Sequence, residues 1–461
     1  MVTYTLTIIT LAALITIETG NGQNIESAMP TVVPGSIDSC YCLQDALEEE
    51  IFNAASVVIH RKPKEEEDSV LIAEQRGVIS EYSLRGNAKK KTLLDIKDRV
   101  VVTSNYGESR GLLSVAPDPH FNTNGRLFVY YIRQDGGEDF AYVSMFQATN
   151  DVFDPQSERV LLRVHQPFVH GNGGPMLFGD DGYLYIVTGD GGEDDDPNGY
   201  AQNKKTFYGK VLRIDVSGSQ DFSEGPSAVA KMYSVPKDNP FINQPATALP
   251  EVWALGFRNM WGCSQDNMPG GSGRIFCAET GTDQYDEINI IERGKNYGWN
   301  IKEGNVCHGQ SSCGPIENEG VPIHNFKHNR SHALVGGFVY RGEDFPWMSG
   351  EGFYVYGDVI SGQTYLLREG VNKIWKDNKW PLCSNLDLCP AGARAKPLQH
   401  LLAFGQDTAG ELYLLMTKDL IATTRTAKLL KVVHKNSSSE LSPAKFTVPL
   451  ISFILVLFRS F

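Results

Sequence analysis

A short apolar and aromatic strand, introduced by a turn residue, recurs six times along the chain, and this repeat limits the accessible folds more than any other feature. The copies are residues 68–74 (DSVLIAE), 125–131 (GRLFVYY), 182–188 (GYLYIVT), 273–279 (GRIFCAE), 352–358 (GFYVYGD) and 410–416 (GELYLLM). Their starts lie 57, 57, 91, 79 and 58 residues apart. Each copy is too apolar to face water and too short to form a core alone, so each is expected as an inner strand of a small sheet stacked on similar sheets. Six such units of roughly four strands, closed radially, make an all-β, six-bladed β-propeller. The two long intervals indicate inserted loops, placed at 190–207 and 299–335. Helical periodicity is hard to find between Ser80 and Lys435, and the Gly171–Gly174 segment precedes a strand instead of opening a helix, which excludes a dinucleotide loop. To close the ring, the strand-like segments 427–434 and 55–59 are expected to share one blade.

A net charge of -13 argues against nucleic acid as a partner, because the one basic run, Lys89 to Lys91, cannot offset it. Residues 3–17 are apolar and precede Gly20, Asn21 and Gly22, which reads as a signal peptide over 1–22. At the other end Asn436 and three serines precede a polar spacer and the apolar tail 446–461. That order matches a GPI-attachment signal over 436–461 with Asn436 as the attachment site, and the tail is shorter than the ~20 apolar residues that cross a bilayer. The folded domain is then 40–435, tied to the membrane through lipid.

Eight cysteines after a secretory start read as disulfides. Cys263 and Cys277 flank a Gly-rich turn between two strand-like runs, so the hairpin brings them together. Cys307 with Cys313, and Cys383 with Cys389, would close short loops. Cys40 and Cys42 are read as pointing to opposite faces of a strand, with their partners open. Asn329 begins the glycosylation sequon Asn-Arg-Ser.

Among possible sites, Asp190 lies in a Gly-Asp-Gly-Gly sequence that serves equally as a turn. Glu193, Asp194, Asp195 and Asp196 form an acidic run that reads as a solvated loop or as a contact for a cation or a partner. His324, His328 and His332 recur every four residues, as zinc ligands on a helix would, but turn residues and the sequon around them favour a loop.

The connecting sequences resemble the glucose/sorbosone dehydrogenase-like family over residues 40–434. The resemblance is carried by Cys40-Tyr-Cys-Leu-Gln44, Arg110-Gly-Leu-Leu113, Phe178-Gly-Asp-Asp-Gly-Tyr-Leu-Tyr185, Gly209-Lys-Val-Leu-Arg-Ile-Asp215, Asp286-Glu-Ile-Asn289, Asn296-Tyr-Gly-Trp299 and Gly336-Gly-Phe-Val-Tyr-Arg-Gly342. Several of these are closest to hedgehog-interacting-protein-like members. The resemblance implies an extracellular propeller. In the family's enzymes, calcium and pyrroloquinoline quinone sit on the axis, and a histidine base oxidises sugars or alcohols. It places cofactor contacts at Arg258 and Asn259 and calcium-binding carbonyls at Gly281 and Thr282. It also shows departures. The family's base position is Gly171, with His170 one residue earlier, where a strand would turn it to the other face unless a bulge intervened. Ser109 stands for a glutamine, no lysine occurs near 357–362, and Gly405-Gln406-Asp407 stands where two arginines are expected. Two functions follow: a binding module for a secreted protein or saccharide, or a quinone-dependent dehydrogenase. By analogy with hedgehog-binding relatives, the acidic run is the candidate ligand loop.

Overall fold

The computed structural model describes residues 39–47, 50–61, 68–84, 90–150, 152–218, 232–327, 332–394 and 398–435. The signal and anchor segments, Asn436, His328 and Asn329 lie outside them. Six antiparallel sheets are arranged around one axis. From the axis outward, blade one is Ala55–Arg61, Ser69–Glu74, Val78–Ser83 and Lys90–Asp95. Blade two is Leu112–Pro117, Arg126–Asp135 and Glu138–Thr149, edged by Arg159–Gln166. Blade three is Met176–Phe178, Leu184–Val187, Lys210–Ile214 and Val252–Leu255, and blade four is Met260–Gln265, Ile275–Glu279, Tyr285–Ile290 and His324–Lys327. Blade five is Leu334–Val339, Tyr354–Asp358, Thr364–Glu369 and Trp375–Trp380. Blade six is His400–Gln406, Leu412–Thr417, Arg425–His434 and, from the other end of the chain, Tyr41–Asp45.

All six repeat segments fall on the second strand of a blade, and their alternation explains the ring. Side chains one residue apart on a strand face opposite ways. Val70 and Ile72 therefore pack towards blade six while Leu71 and Ala73 pack towards blade two. The same division holds in blade four, where Ile275 and Cys277 meet blade three and Phe276 and Ala278 meet blade five. A strand buried on both sides has no polar face to spare, which is why its sequence is a continuous apolar run. One apolar core forms between each pair of adjacent blades.

Closure differs from the sequence expectation. Ala55–Arg61 is the innermost strand of blade one, paired with Ser69–Glu74, and the strand that seals blade six is Tyr41–Asp45, whose Tyr41 lies opposite His434 and Asp45 opposite Leu430. Residues two apart on a strand share a face, which also corrects the reading of Cys40 and Cys42. Both reach the segment after blade five, as Cys40–Cys383 and Cys42–Cys389, so the expected Cys383–Cys389 loop does not form. The Trp380 indole donates to the carbonyl of Ser39 at 2.7 Å, and Asp45 pairs with Arg394 and Lys428. Cys263–Cys277 and Cys307–Cys313 pair as expected, the former across the register of its hairpin.

Two insertions lie close to their expected positions. One is the 188–209 connection of blade three; the other, 291–323 in blade four, holds a small hairpin of Lys302–Glu303 and Val306–Cys307. A third, 215–251, follows Lys210–Ile214 and accounts for much of the 91-residue interval that the first alone does not. No helix among the described residues is long and apolar enough to cross a membrane.

Candidate functional site at one end of the axis

The connections that precede the innermost strands gather at one end of the ring, together with the loop between the second and third strands of blade four. They bring together Ser109, His170, Asn172, Arg258, Asn259, Gly281 and His332. Residues 167–175 are a loop, and the strand starts only at Met176. Strand register therefore does not set the direction of His170. Gly171, Gly173 and Gly174 have φ of 67°, 69° and 131°, so the segment turns where a side-chain-bearing residue would be strained. His170 is exposed at the rim, its Nδ1 2.9 Å from the Ser109 hydroxyl. Asn172 is buried below it, donating to the carbonyls of Ser109 and Val169.

Position 171 leaves no room for a base. A Cβ there would lie 2.5 Å from the backbone of Gly192 and 2.7 Å from Asp190 Oδ1. The Gly-Asp-Gly-Gly turn fills that space, and Asp190 is a buried structural acid. Its carboxylate accepts from the Gly192 amide at 2.9 Å and from the Trp299 indole at 2.8 Å. Burial raises its pKa to about 6, against the pull of Arg258.

Arg258 and Asn259 do reach this end. The Arg258 guanidinium donates to the Thr280 carbonyl at 3.2 Å and lies 5.8 Å from the Trp299 ring, while Asn259 Oδ1 accepts from the Gly173 amide at 3.1 Å. The next loop, 281–285, wraps around one carboxylate oxygen of Glu303, which accepts from the amides of Thr282 at 2.7 Å and Asp283 at 3.0 Å and from the two that follow. Among the described residues no hydrogen bond reaches the Gly281 or Thr282 carbonyls, so both keep the lone pairs a hard cation uses.

The fit to calcium is therefore partial, and the fit to a quinone polyanion is poor. Arg110 is bound to Glu108 and Asp139, and Arg258 lies among Asp190 and Glu279. Gly405, Gln406 and Asp407 are at the opposite end of blade six, because that strand enters the site at His400. Their alignment with the family's arginines is thereby corrected. Asp358 occupies the corresponding end of blade five, bonded to His332 at 2.7 Å and to Ser361. His324 sits on the outer strand of blade four against Phe326 and Tyr356, so His324 and His332 share no helix.

Sequence reasoning missed a buried acid pair. Glu279 and Glu287, in blade four, share the Asn289 amide at 3.1 and 3.0 Å. Burial raises both pKa values, Glu279 further by repulsion from Glu287, and Glu287 further by Glu303 and Asp286. The alternation of polar Glu287 and Asn289 with Ile288 and Ile290 signals only the Glu287 half of it. A carboxyl whose pKa is raised on folding stabilises the fold below its ordinary pKa, and that contribution is lost as pH rises through the folded value. Glu287→Gln should therefore gain on the parent by about 2 kcal/mol between pH 4.5 and 7.5. Paired denaturant melts at the two pH values cancel His60 and His324, whose lowered pKa values act in the opposite sense. A pH-independent difference would show that the pair is not protonated.

The fold is that of the glucose and sorbosone dehydrogenase propellers. The chain belongs to that family: the Glucose / Sorbosone dehydrogenase model matches residues 63–355. Among curated proteins it is 32% identical over 320 residues to the HIPL1 protein of Arabidopsis thaliana, covering 64% of this chain and 45% of that one. It is 29% identical over 409 residues to the Hedgehog-interacting protein of Homo sapiens, covering 86% and 53%. The chain thus spans about half the length of the curated relatives it matches. Among solved structures, the aldose sugar dehydrogenase of Escherichia coli superposes with a TM-score of 0.64 at 19% identity, covering 86% of this chain and 99% of that one. The PQQ-bound aldose sugar dehydrogenase of Streptomyces coelicolor gives 0.59 at 17%, covering 87% and 99%. At these identities the structures speak for the fold alone.

Proposed function

We propose that the protein is an extracellular binding module, in which the insertions of blades three and four present an acidic surface to a secreted protein ligand. The observation that carries this reading is the joining of the two insertions. His308 Nε2 meets Asp195 Oδ1 at 2.9 Å, and Asn300 donates to the carbonyls of Asp195 and Asp196 at 2.7 and 2.8 Å. Asp196 is not a contact residue, since its buried carboxylate accepts from the amides of Tyr200 and Ala201. Glu193 is half-buried and bonded to Asn198, which leaves Asp194 and Asp195 exposed on a braced loop. Such preorganisation lowers the entropic cost of binding. The name of the human relative, Hedgehog-interacting protein, suggests a hedgehog-type signalling protein as the first ligand to try.

Four disulfides support secretion, and the expected signal peptide and GPI signal give the same address. The alternative, a calcium- and quinone-dependent sugar or alcohol dehydrogenase, is favoured by Arg258, Asn259 and the open carbonyls of Gly281 and Thr282. In biolayer interferometry against a hedgehog-type protein, Asp194→Lys with Asp195→Lys should weaken binding at least ~10-fold, as expected for reversing charges at a complementary interface. Equal affinity in the variant, or no binding by the parent, would remove the acidic loop or this ligand from the account.

A further inference from the structure

The chain leaves the fold at the end of the ring opposite the candidate site. Arg425–His434 runs antiparallel to Leu412–Thr417, and Lys435 follows it at the end where Gln406 and Leu412 lie opposite each other. The His434 ring packs on Phe345 of blade five at 5.2 Å between centroids, so the exit lies beside that blade. Lys435 directly precedes the expected lipid attachment at Asn436. Even the uncut polar segment 436–445 reaches at most about 35 Å, whereas a compact domain of this size is roughly 50 Å across. Anchored through this segment, the ring therefore keeps its far face towards the bilayer.

That face carries the most exposed large apolar side chain of the described residues. In blade five, residues 370–374 connect Thr364–Glu369 to Trp375–Trp380 at the far end. Val371 is 85% exposed and Ile374 61%. The turn between them is ordered: the Ile374 amide donates to the Val371 carbonyl at 3.4 Å and the Gly370 amide to the Ile374 carbonyl at 2.8 Å, with φ of 61° at Asn372 and 59° at Lys373. Two apolar side chains are thus held in water at a fixed tip. Lys373 between them is exposed, as are Lys376 and Lys379 on the strand that follows, beside one acid, Asp377. An apolar tip flanked by lysines suits the boundary of acyl chains and headgroups, where a lysine stem lies along apolar surface and its ammonium reaches the phosphates.

We propose that the 371–374 turn of blade five dips into the surface of a phospholipid bilayer, setting the ring on its far face with the acidic loop and the axial site turned away from the membrane. This rests on the anchor reading and adds an orientation to it. On a short tether the contact is intramolecular, so an affinity too weak to hold a free molecule suffices. Withdrawal of Val371 and Ile374 from water supplies the attraction.

The test uses the full protein, extracted from cell membranes and reconstituted in phosphatidylcholine vesicles, with flotation read first and tryptophan emission second. The protein should float with the vesicles. The emission that Val371→Trp adds over the parent should be lost when the phosphatidylcholine is brominated along its acyl chains, because the added indole lies among them. The emission that Ile360→Trp adds, at the site end of the same blade, should be kept. Both positions are exposed, so neither change disturbs a core. Adding Ile374→Asp to Val371→Trp should restore most of the lost emission, because an unpaired carboxylate resists leaving water. Failure to float would remove the anchor and the docking with it. Flotation with no loss at Val371→Trp would overturn the docking alone and leave the turn to a protein partner, and equal loss at Ile360→Trp would overturn the orientation.

Discussion

Removing both latch disulfides should cost about 7–8 kcal/mol, whereas removing either alone should cost only about 2–3 kcal/mol. The two bonds close loops of 343 and 347 residues, nearly the whole ring. Loop-closure entropy grows as the logarithm of loop length, so the first closure accounts for about 5–6 kcal/mol. Once one bond is made, the other closes a circuit of only about ten residues, and its contribution falls to about 2–3 kcal/mol. Either bond therefore holds the ring while the other is absent. The comparison is Cys40→Ser with Cys383→Ser, Cys42→Ser with Cys389→Ser, and all four together, read by urea unfolding. Additive losses would show that the closing strand is held by its ladder, Trp380 and Asp45 rather than by the covalent latch.

Lys210→Met should destabilise blade three by about 3–4 kcal/mol and weaken ligand binding with it. Lys210 is fully buried, and its ammonium donates to the carbonyls of Tyr200, Ala201 and Tyr208, binding the 188–209 insertion to the strand beneath. Burial lowers its pKa to about 7, against the attraction of Asp196. A lysine whose pKa falls on folding weakens the fold when charged, so stability should rise with pH from about 7 towards the ordinary lysine value. Methionine keeps the stem but leaves three carbonyls without their donor. Proteolysis within 188–209 should then accelerate before global unfolding does. An unchanged melt and unchanged cleavage would show that Asp196 alone organises the insertion.

How much of this was legible in the sequence follows from which interactions are local. Period-two burial lies within each strand, so the six second strands and the fold were readable. The Cys263–Cys277 bridge spans one hairpin and was readable for the same reason. Ring closure was not: Tyr41–Asp45 meets Arg425–His434 almost a full chain length away, and nothing in the apolar run 55–59 marks it as an innermost strand. Cys383 and Cys389, near each other in sequence, looked like partners because only the fold brings Cys40 and Cys42 to them. The motifs that name Arg258, Asn259, Gly281 and Thr282 as cofactor and calcium contacts do name residues that the fold brings to one end of the axis. They could not foresee that the 167–175 segment is a loop, or that Asp190 and Gly192 fill the space at Gly171.

That filled space underlies the proposal that this propeller has its family's fold without its oxidative chemistry. A base must approach the proton it abstracts to about 3 Å, and His170 stands at the rim beside Ser109 while backbone occupies the expected position. Burying a polyanion where Arg258 is already drawn to Asp190 and other cations are engaged by acids costs several kcal/mol. The direct test is dye reduction by the purified protein supplied with Ca²⁺ and pyrroloquinoline quinone, over a panel of aldoses and simple alcohols, with quinone binding followed by absorbance. Weak quinone binding and no substrate-dependent reduction are expected. Tight binding with turnover that His170→Ala abolishes would contradict it.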